Sequence, residues 1–155
     1  MKHLIPALLA LTLFISCAKK KTENADTTID YVAKNEQEII DYVAKNKLNA
    51  HKTDSGLYYV INEPGTGTQP TATSNVTVAY KGYFINGSVF DQSATGISFG
   101  LNQVIKGWTE GIQHFKVGGS GILLIPAHLG YGNSTMGPIP GGSALIFDVK
   151  LISVN

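Results

Sequence analysis

Between Tyr80 and Phe147 the chain spaces out Tyr80, Phe90-Asp91, Val104-Ile105, Trp108, Tyr131 and Phe147, with Gly-rich loops between them. Most are aromatic or aliphatic, and Asp91 is the single charge among them. Strand-like alternation turns several of them inward, which gives an apolar cup with a few polar points. Such a cup suits a small ligand or a proline ring, held by apolar area and a few placed hydrogen bonds. It is poor equipment for hydrolysis, metal chemistry or phosphate transfer. His3, His51, His114 and His128 are scattered without metal-ligand spacing. No Gly-x-Ser-x-Gly elbow occurs. Gly130-Tyr131-Gly132 lacks the strand-to-helix setting and the lysine of a phosphate loop, so its glycines read as turn residues. Neither a metal nor a cofactor is expected.

Taken singly, each residue has a plainer reading. Trp108 alone is as readily a core residue as a site residue. Phe147 and Ile105 alone read as packing, Asp91 as a turn or cap residue, and Tyr131 as a surface loop aromatic. The joint spacing carries the functional reading.

The elements that must position these residues follow from periodicity. From His51 onward the pattern has period two. Leu57 to Ile61 reads as a strand closed by Pro64-Gly65. Val76, Val78 and Tyr80 alternate with Thr77, Ala79 and Lys81. Asn86-Gly87 is a hairpin signal, because both positions accept positive φ, and the return strand runs through Val89-Phe90-Asp91. Trp108, Ile112 and Phe115 fall on one face of a short helix, which Gly118-Gly119 stops. Ile122 to Ile125 is a buried-strand run ended by Pro126. Leu145, Phe147, Val149 and Leu151 alternate with Ile146, Asp148 and Lys150 in a last strand. The Gly- and Pro-rich stretch from Ala127 to Ser143 is a long loop, and long loops inside a compact domain are often functional. The expected fold class is α+β: an antiparallel sheet wrapped on one short helix.

The chain has 155 residues, which suits one modest domain plus appendages. Its formal net charge is +1, and every cation is lysine. No basic stripe is present, so nucleic acid is not an expected partner. The 17 glycines fit a β-rich domain with shaped loops.

The start of the chain reads as a lipoprotein leader. Met1-Lys2-His3 is a short cationic opening, and Leu4 to Ile15 is an apolar run too short to span a bilayer comfortably. Ser16 precedes Cys17, the only cysteine, and Ala18 and three lysines follow. Residues 1–16 are therefore read as a signal peptide and Cys17 as a lipidation site, with ordinary signal cleavage as the alternative. A lipidated Cys17 would hold the protein to a membrane of the cell envelope, facing the periplasm or exterior. Residues 17–28 read as a flexible tether. In residues 29–49, Ile29 to Asn35 recurs as Ile40 to Asn46, an offset of eleven residues and close to three helical turns. One helix or two short ones are expected there. Ile29, Val32, Ile40, Val43 and Ala44 would form the stripe that packs on the domain or, alternatively, on a second copy as a homodimer. Residues 51–155 form the main domain.

These residues together resemble a known family. Val78-Ala79-Tyr80-Lys81-Gly82, Phe90-Asp91, Val104 to Gly111, Ile125-Pro126, Tyr131-Gly132 and Leu145 to Val149 follow the FKBP-type peptidyl-prolyl isomerase pattern in order. The resemblance covers about Leu57 to Val154. The helix and anchor ahead of it resemble those of lipoprotein members from the Bacteroidetes group. The resemblance implies a twisted antiparallel sheet curled around the Trp108 helix, and prolyl isomerisation that assists folding of exported or envelope proteins. It implies Xaa-Pro segments as substrates and macrolides as inhibitors. Tyr80, Asp91, Tyr131 and Phe147 match the positions expected to act on the bond. Phe90, Val104, Ile105, Trp108 and Ile139 match the rest of the proline pocket, with Phe99 and Leu101 supporting it. Ile97 stands where relatives often carry a larger aromatic, and Gln103 matches a position that contributes its backbone carbonyl. The chain departs from the pattern in three places. Asp91 to Ile97 is short and lacks an arginine, Met136 stands in the place of a loop histidine or valine, and Pro140-Gly141-Gly142 replaces a Pro-Pro pair. A chaperone or adaptor that uses the same pocket with little isomerisation is the alternative.

Overall fold

In a computed structural model, the structure describes residues 30–155. The expected signal peptide, Cys17, the expected tether and Ile29 lie outside the described residues. α1 spans Tyr31–Lys45 as a single helix. The Asp30 side chain caps it, accepting from the Val32 and Ala33 amides. Six strands follow: β1 His51–Lys52, β2 Tyr58–Glu63, β3 Asn75–Phe84, β4 Val89–Gly100, β5 Ser120–Ile125 and β6 Leu145–Val154. They form one antiparallel sheet in the order β1-β2-β5-β6-β3-β4. α2, Lys106–Gly111, lies between β4 and β5.

The alternation of β6 explains its central place. Leu145, Phe147, Val149 and Leu151 join the core cluster that also contains Trp108, Ile112 and Phe115 from α2 and the 3-10 turn after it. Ile146 points to the other face, where it packs with Ile39, Tyr58, Val60, Leu124 and Ala144. Each sheet face thus carries its own apolar cluster, one under α2 and one under α1.

α1 packs on the domain, but not by the expected stripe. Val32 and Ile40 are 56% and 42% exposed, and Ala44 is exposed as well. The buried residues are Asn35 and Ile39, with Tyr42 and Val43 partly buried beside them. The face is set by the rings of the repeated tyrosines and by hydrogen bonds of Asn35. A ranking by hydrophobicity omits both. β4 is also longer than the run to Asp91. It continues to Gly100 as an edge strand whose mostly polar stretch from Gln92 to Thr95 gives no alternating signal.

Candidate functional site

α2 holds Trp108 against the sheet because its inner face is made of glycine. A Cβ on Gly107 would stand 2.5 Å from Ile125 Cγ2, and one on Gly111 would stand 2.6 Å from Leu123 Cδ2. Only glycine lets the helix lie this close to β5. The Thr109 hydroxyl donates to the Leu101 carbonyl at 2.5 Å, which ties the first turn of α2 to the segment before it.

β3 and β4 supply the side walls, and two irregularities aim them. Gly82 pairs with Asp91, whereas Tyr83 pairs with Val89, so Phe90 is an extra residue on β4. The bulge lets the adjacent residues Phe90 and Asp91 both face the cavity, which regular alternation forbids. Further along, Tyr80 pairs with Ser93 and Val78 with Ile97, so four residues of β4 run opposite two of β3. The excess is even, and Ile97 and Phe99 stay on the same face as Asp91.

The result is one cavity of about 710 Å³. Its lining includes every residue expected from the sequence: Tyr80, Phe90, Asp91, Ile97, Phe99, Gln103, Val104, Ile105, Trp108, Tyr131, Ile139 and Phe147. Leu101 is fully buried in the same core cluster rather than on the cavity surface. Met136, Gly137 and Pro138 complete the lining and were not expected as site residues. The available signal was their place in the long Gly- and Pro-rich loop.

Aromatic rings form the floor and walls in edge-to-face contact. Trp108 meets Phe147 with centroids 5.2 Å apart at 88°, and Tyr80 at 5.2 Å and 86°. Phe90 meets Phe147 at 5.5 Å and 86°. Trp108 and Phe147 are only 5% and 4% exposed. The Trp108 indole N–H is buried and has no hydrogen-bond partner among the described residues. Polar character is concentrated in one pair: the Tyr80 hydroxyl donates to Asp91 Oδ2 at 2.6 Å. Asp91 Oδ1 accepts from the Gln92 amide at 2.9 Å. Burial, reinforced by the Asp91 carboxylate, pushes the Tyr80 phenol up to about 12. Among the described residues, no cluster of three or more His, Cys, Asp or Glu is placed to hold a metal. The chemistry available is binding of an apolar ring in a mostly apolar hollow with the hydrogen-bonded Tyr80–Asp91 pair at its side.

A family model described as FKBP-type peptidyl-prolyl cis-trans isomerase matches residues 66–152. The FKBP-type peptidyl-prolyl cis-trans isomerase FkpA of Aeromonas hydrophila is 40% identical over 140 residues, covering 88% of this chain and 49% of that protein. Its counterpart in Escherichia coli strain K12 is 45% identical over 108 residues, covering 67% and 40%. The chain thus spans less than half the length of these curated relatives. The crystal structure of FkpA from Escherichia coli superposes with a TM-score of 0.67 at 39% identity, covering 79% of this chain and 63% of that one. That of a peptidyl-prolyl cis-trans isomerase from Pseudomonas syringae pv. tomato gives 0.72 at 31% identity, covering 81% and 93%. On the matched segment, the relatives and the shared architecture together, the chain belongs to the FKBP-type peptidyl-prolyl cis-trans isomerase family.

Proposed function

We propose that the chain is a peptidyl-prolyl cis-trans isomerase that assists folding of exported or envelope proteins, acting on Xaa-Pro segments in the Trp108 cavity. The observation that carries this reading is the convergence of Trp108, Phe147, Tyr80, Phe90 and Tyr131 on one hollow. Resonance holds the imide planar, with a rotation barrier of about 18–20 kcal/mol. Rotation removes conjugation, so the twisted imide is less charge-separated than the planar one. A water-poor apolar site therefore binds the twisted form better in relative terms, and no nucleophile or base is needed. Trp108 is the floor for the pyrrolidine ring, with Phe90, Ile97, Phe99, Val104, Ile105, Ile139 and Phe147 as walls. Gln103 offers its backbone carbonyl, and Tyr131 offers its hydroxyl to a substrate carbonyl. Asp91 orients Tyr80. A barrier lowered by about 4 kcal/mol gives roughly a thousandfold acceleration. The test is conversion of Xaa-Pro peptides by the purified chain with and without a macrolide inhibitor. An uncatalysed rate, or one unchanged by Phe147→Ala, ends this reading.

A second reading is a membrane-tethered chaperone or adaptor, favoured by the exposed Val32 and Ile40 on α1. It expects suppression of aggregation of proline-free clients that Phe147→Ala leaves intact. The same exposed face is where a second copy would dock through residues 29–49. Sedimentation of wild type against a Val32→Lys, Ile40→Lys variant tests that: a monomer in both cases rejects the dimer.

The proposed location rests on residues 1–17. Cys17 after a short apolar run is proposed to carry lipid and to hold the domain at an envelope membrane facing the periplasm or exterior. Among the described residues, no helix is long and apolar enough to cross a membrane. Palmitate label equal in wild type and Cys17→Ala rejects the anchor.

A further inference from the structure

Asn35 is the one buried polar side chain among the described residues, and it is 0% exposed. Burying an amide is costly unless its groups are paired. Asn35 Oδ1 accepts from the Ala127 amide at 2.8 Å. Its Nδ2 donates to the Gly142 carbonyl at 3.0 Å and to Glu38 Oε2 at 3.0 Å. The amide can face only one way, because a backbone N–H must donate and a carbonyl must accept.

Ala127 and Gly142 stand at opposite ends of the loop that joins β5 to β6. One side chain of α1 therefore fastens both ends of that loop. Bonds inside the loop carry the constraint to the cavity. The Ala127 carbonyl accepts from Gly130 at 2.9 Å and from Gly132 at 2.8 Å, so both neighbours of Tyr131 hang from the residue that Asn35 holds. The Gly132 carbonyl in turn accepts from Gly142 at 2.8 Å. Tyr31, one turn earlier on α1, lies across Gly142, where any Cβ would collide with its ring. Tyr131 and the run Met136 to Ile139 are the loop's contributions to the cavity, and backbone bonds in both directions pin Met136 to Ile139.

We propose that Asn35 is a positioning residue of the cavity: through the Ala127 and Gly142 bonds it fixes where Tyr131 and Met136 stand against the substrate, and so makes α1 part of the binding site. This rests on the cavity being the proline site. A purely structural role for α1 predicts something different. Ile39, fully buried one turn on, packs against the sheet and holds α1 down without bonding the loop.

The test uses the full chain and the variants Asn35→Ala, Ile39→Ala and Tyr131→Phe, singly and in pairs. Turnover of an Xaa-Pro peptide, its affinity by fluorescence of the single Trp108, and amide exchange at Gly130, Gly132 and Gly142 are measured at a temperature where all variants are folded. Asn35→Ala is expected to lower kcat/KM by about 5- to 10-fold, mostly through KM. The penalty of Tyr131→Phe should nearly vanish in the Asn35→Ala background and persist in the Ile39→Ala background. Exchange at Gly132 and Gly142 should quicken in Asn35→Ala alone. A Tyr131→Phe penalty equal in all backgrounds, or unchanged exchange, overturns the proposal while leaving the proline site standing. A wild-type chain that neither binds nor turns over the peptide overturns the proline site and this proposal with it.

Discussion

The hydroxyl of Tyr80 and the carboxylate of Asp91 meet at 2.6 Å across the β3–β4 ladder, on the side of a mostly apolar cavity. Both Asp91 oxygens are engaged, one by Tyr80 and one by the Gln92 amide. An acceptor used in this way orients its donors rather than collecting a proton. Charge-assisted bonds of this kind are about twice as strong as neutral ones, so the pair stiffens this wall of the cavity.

Asp91→Leu removes the acceptor from both donors and is expected to cut kcat/KM by roughly tenfold, whereas Asp91→Asn keeps an oxygen and should cost only about threefold. If Asp91 works through Tyr80, adding Tyr80→Phe to Asp91→Leu should cause little further loss. Isomerisation rates of one Xaa-Pro peptide with wild type, Asp91→Leu, Asp91→Asn, Tyr80→Phe and the Tyr80→Phe, Asp91→Leu double variant decide it. Fully multiplying penalties would mean that Asp91 acts on the substrate directly.

Alkaline titration gives an independent view of the same pair. An ordinary tyrosine ionises near 10.0, and Tyr80 in the folded chain ionises at about 12. Between those values the unfolded state gives up a proton that the folded state keeps. Tyr80 therefore contributes stability that is intact below pH 10.0 and is lost as pH rises toward about 12. Urea midpoints of wild type should fall more steeply than those of Tyr80→Phe across that window. Parallel curves would show that the phenol is not held back by burial and Asp91.

Gly82 sits in β3 between Asp91 on one neighbouring strand and Phe147 on the other. A Cβ there would stand 2.7 Å from Phe90 Cε2 and 2.8 Å from Phe147 Cε1. Gly82→Ala must push these rings into the cavity, at a cost of about 1–3 kcal/mol in stability. Gly87→Ala is the control: its φ of 87 strains an alanine, yet open space surrounds it. It should cost about 1 kcal/mol through the backbone alone. Urea denaturation and peptide titration followed by Trp108 fluorescence should show both variants weakened in stability and only Gly82→Ala weakened in affinity. Wild-type affinity in Gly82→Ala would mean that the two rings do not touch the ligand.

The contrast between these glycines bears on how much the sequence reveals. Gly87 was legible in a local pair, Asn86-Gly87, because a turn's backbone demand is written in adjacent residues. The strands β3 and β6 were legible for a similar reason, since burial on one sheet face imposes period two. Phe90-Asp91 shows the limit. Both residues reach the cavity only because a bulge breaks the alternation, and the bulge is a register between strands rather than a local pattern. The family resemblance supplied their place where periodicity did not. Asn35 shows the limit more sharply. A polar residue outside the apolar stripe is the fully buried center of α1 docking, and its partners, Ala127 and Gly142, lie more than ninety residues away. The apolar stripe therefore pointed to Val32 and Ile40, which the fold leaves exposed.

The contact of α1 with β1 and β2 is held by charge, and acid should release it. Glu36 Oε1 accepts from Lys52 Nζ at 2.7 Å and from the Tyr58 hydroxyl at 2.5 Å, tying α1 to β1 and β2. The Lys52 bond, then the Tyr58 bond, holds the Glu36 carboxyl below its ordinary value of 4.5. A depressed carboxyl contributes stability that is present above its unfolded value and is lost as pH falls through the folded one. Acid below pH 4.5 should therefore loosen α1 in wild type, while Glu36→Gln should start less stable and show a shallower acid dependence. The decisive measurement is amide exchange along Tyr31–Lys45 at neutral and acid pH in both proteins. Because Asn35 is the neighbour of Glu36, the same acid step should also quicken exchange at Gly142, whose carbonyl Asn35 holds. Exchange that rises along α1 but not at Gly142 would mean that helix docking and loop placement are separate events.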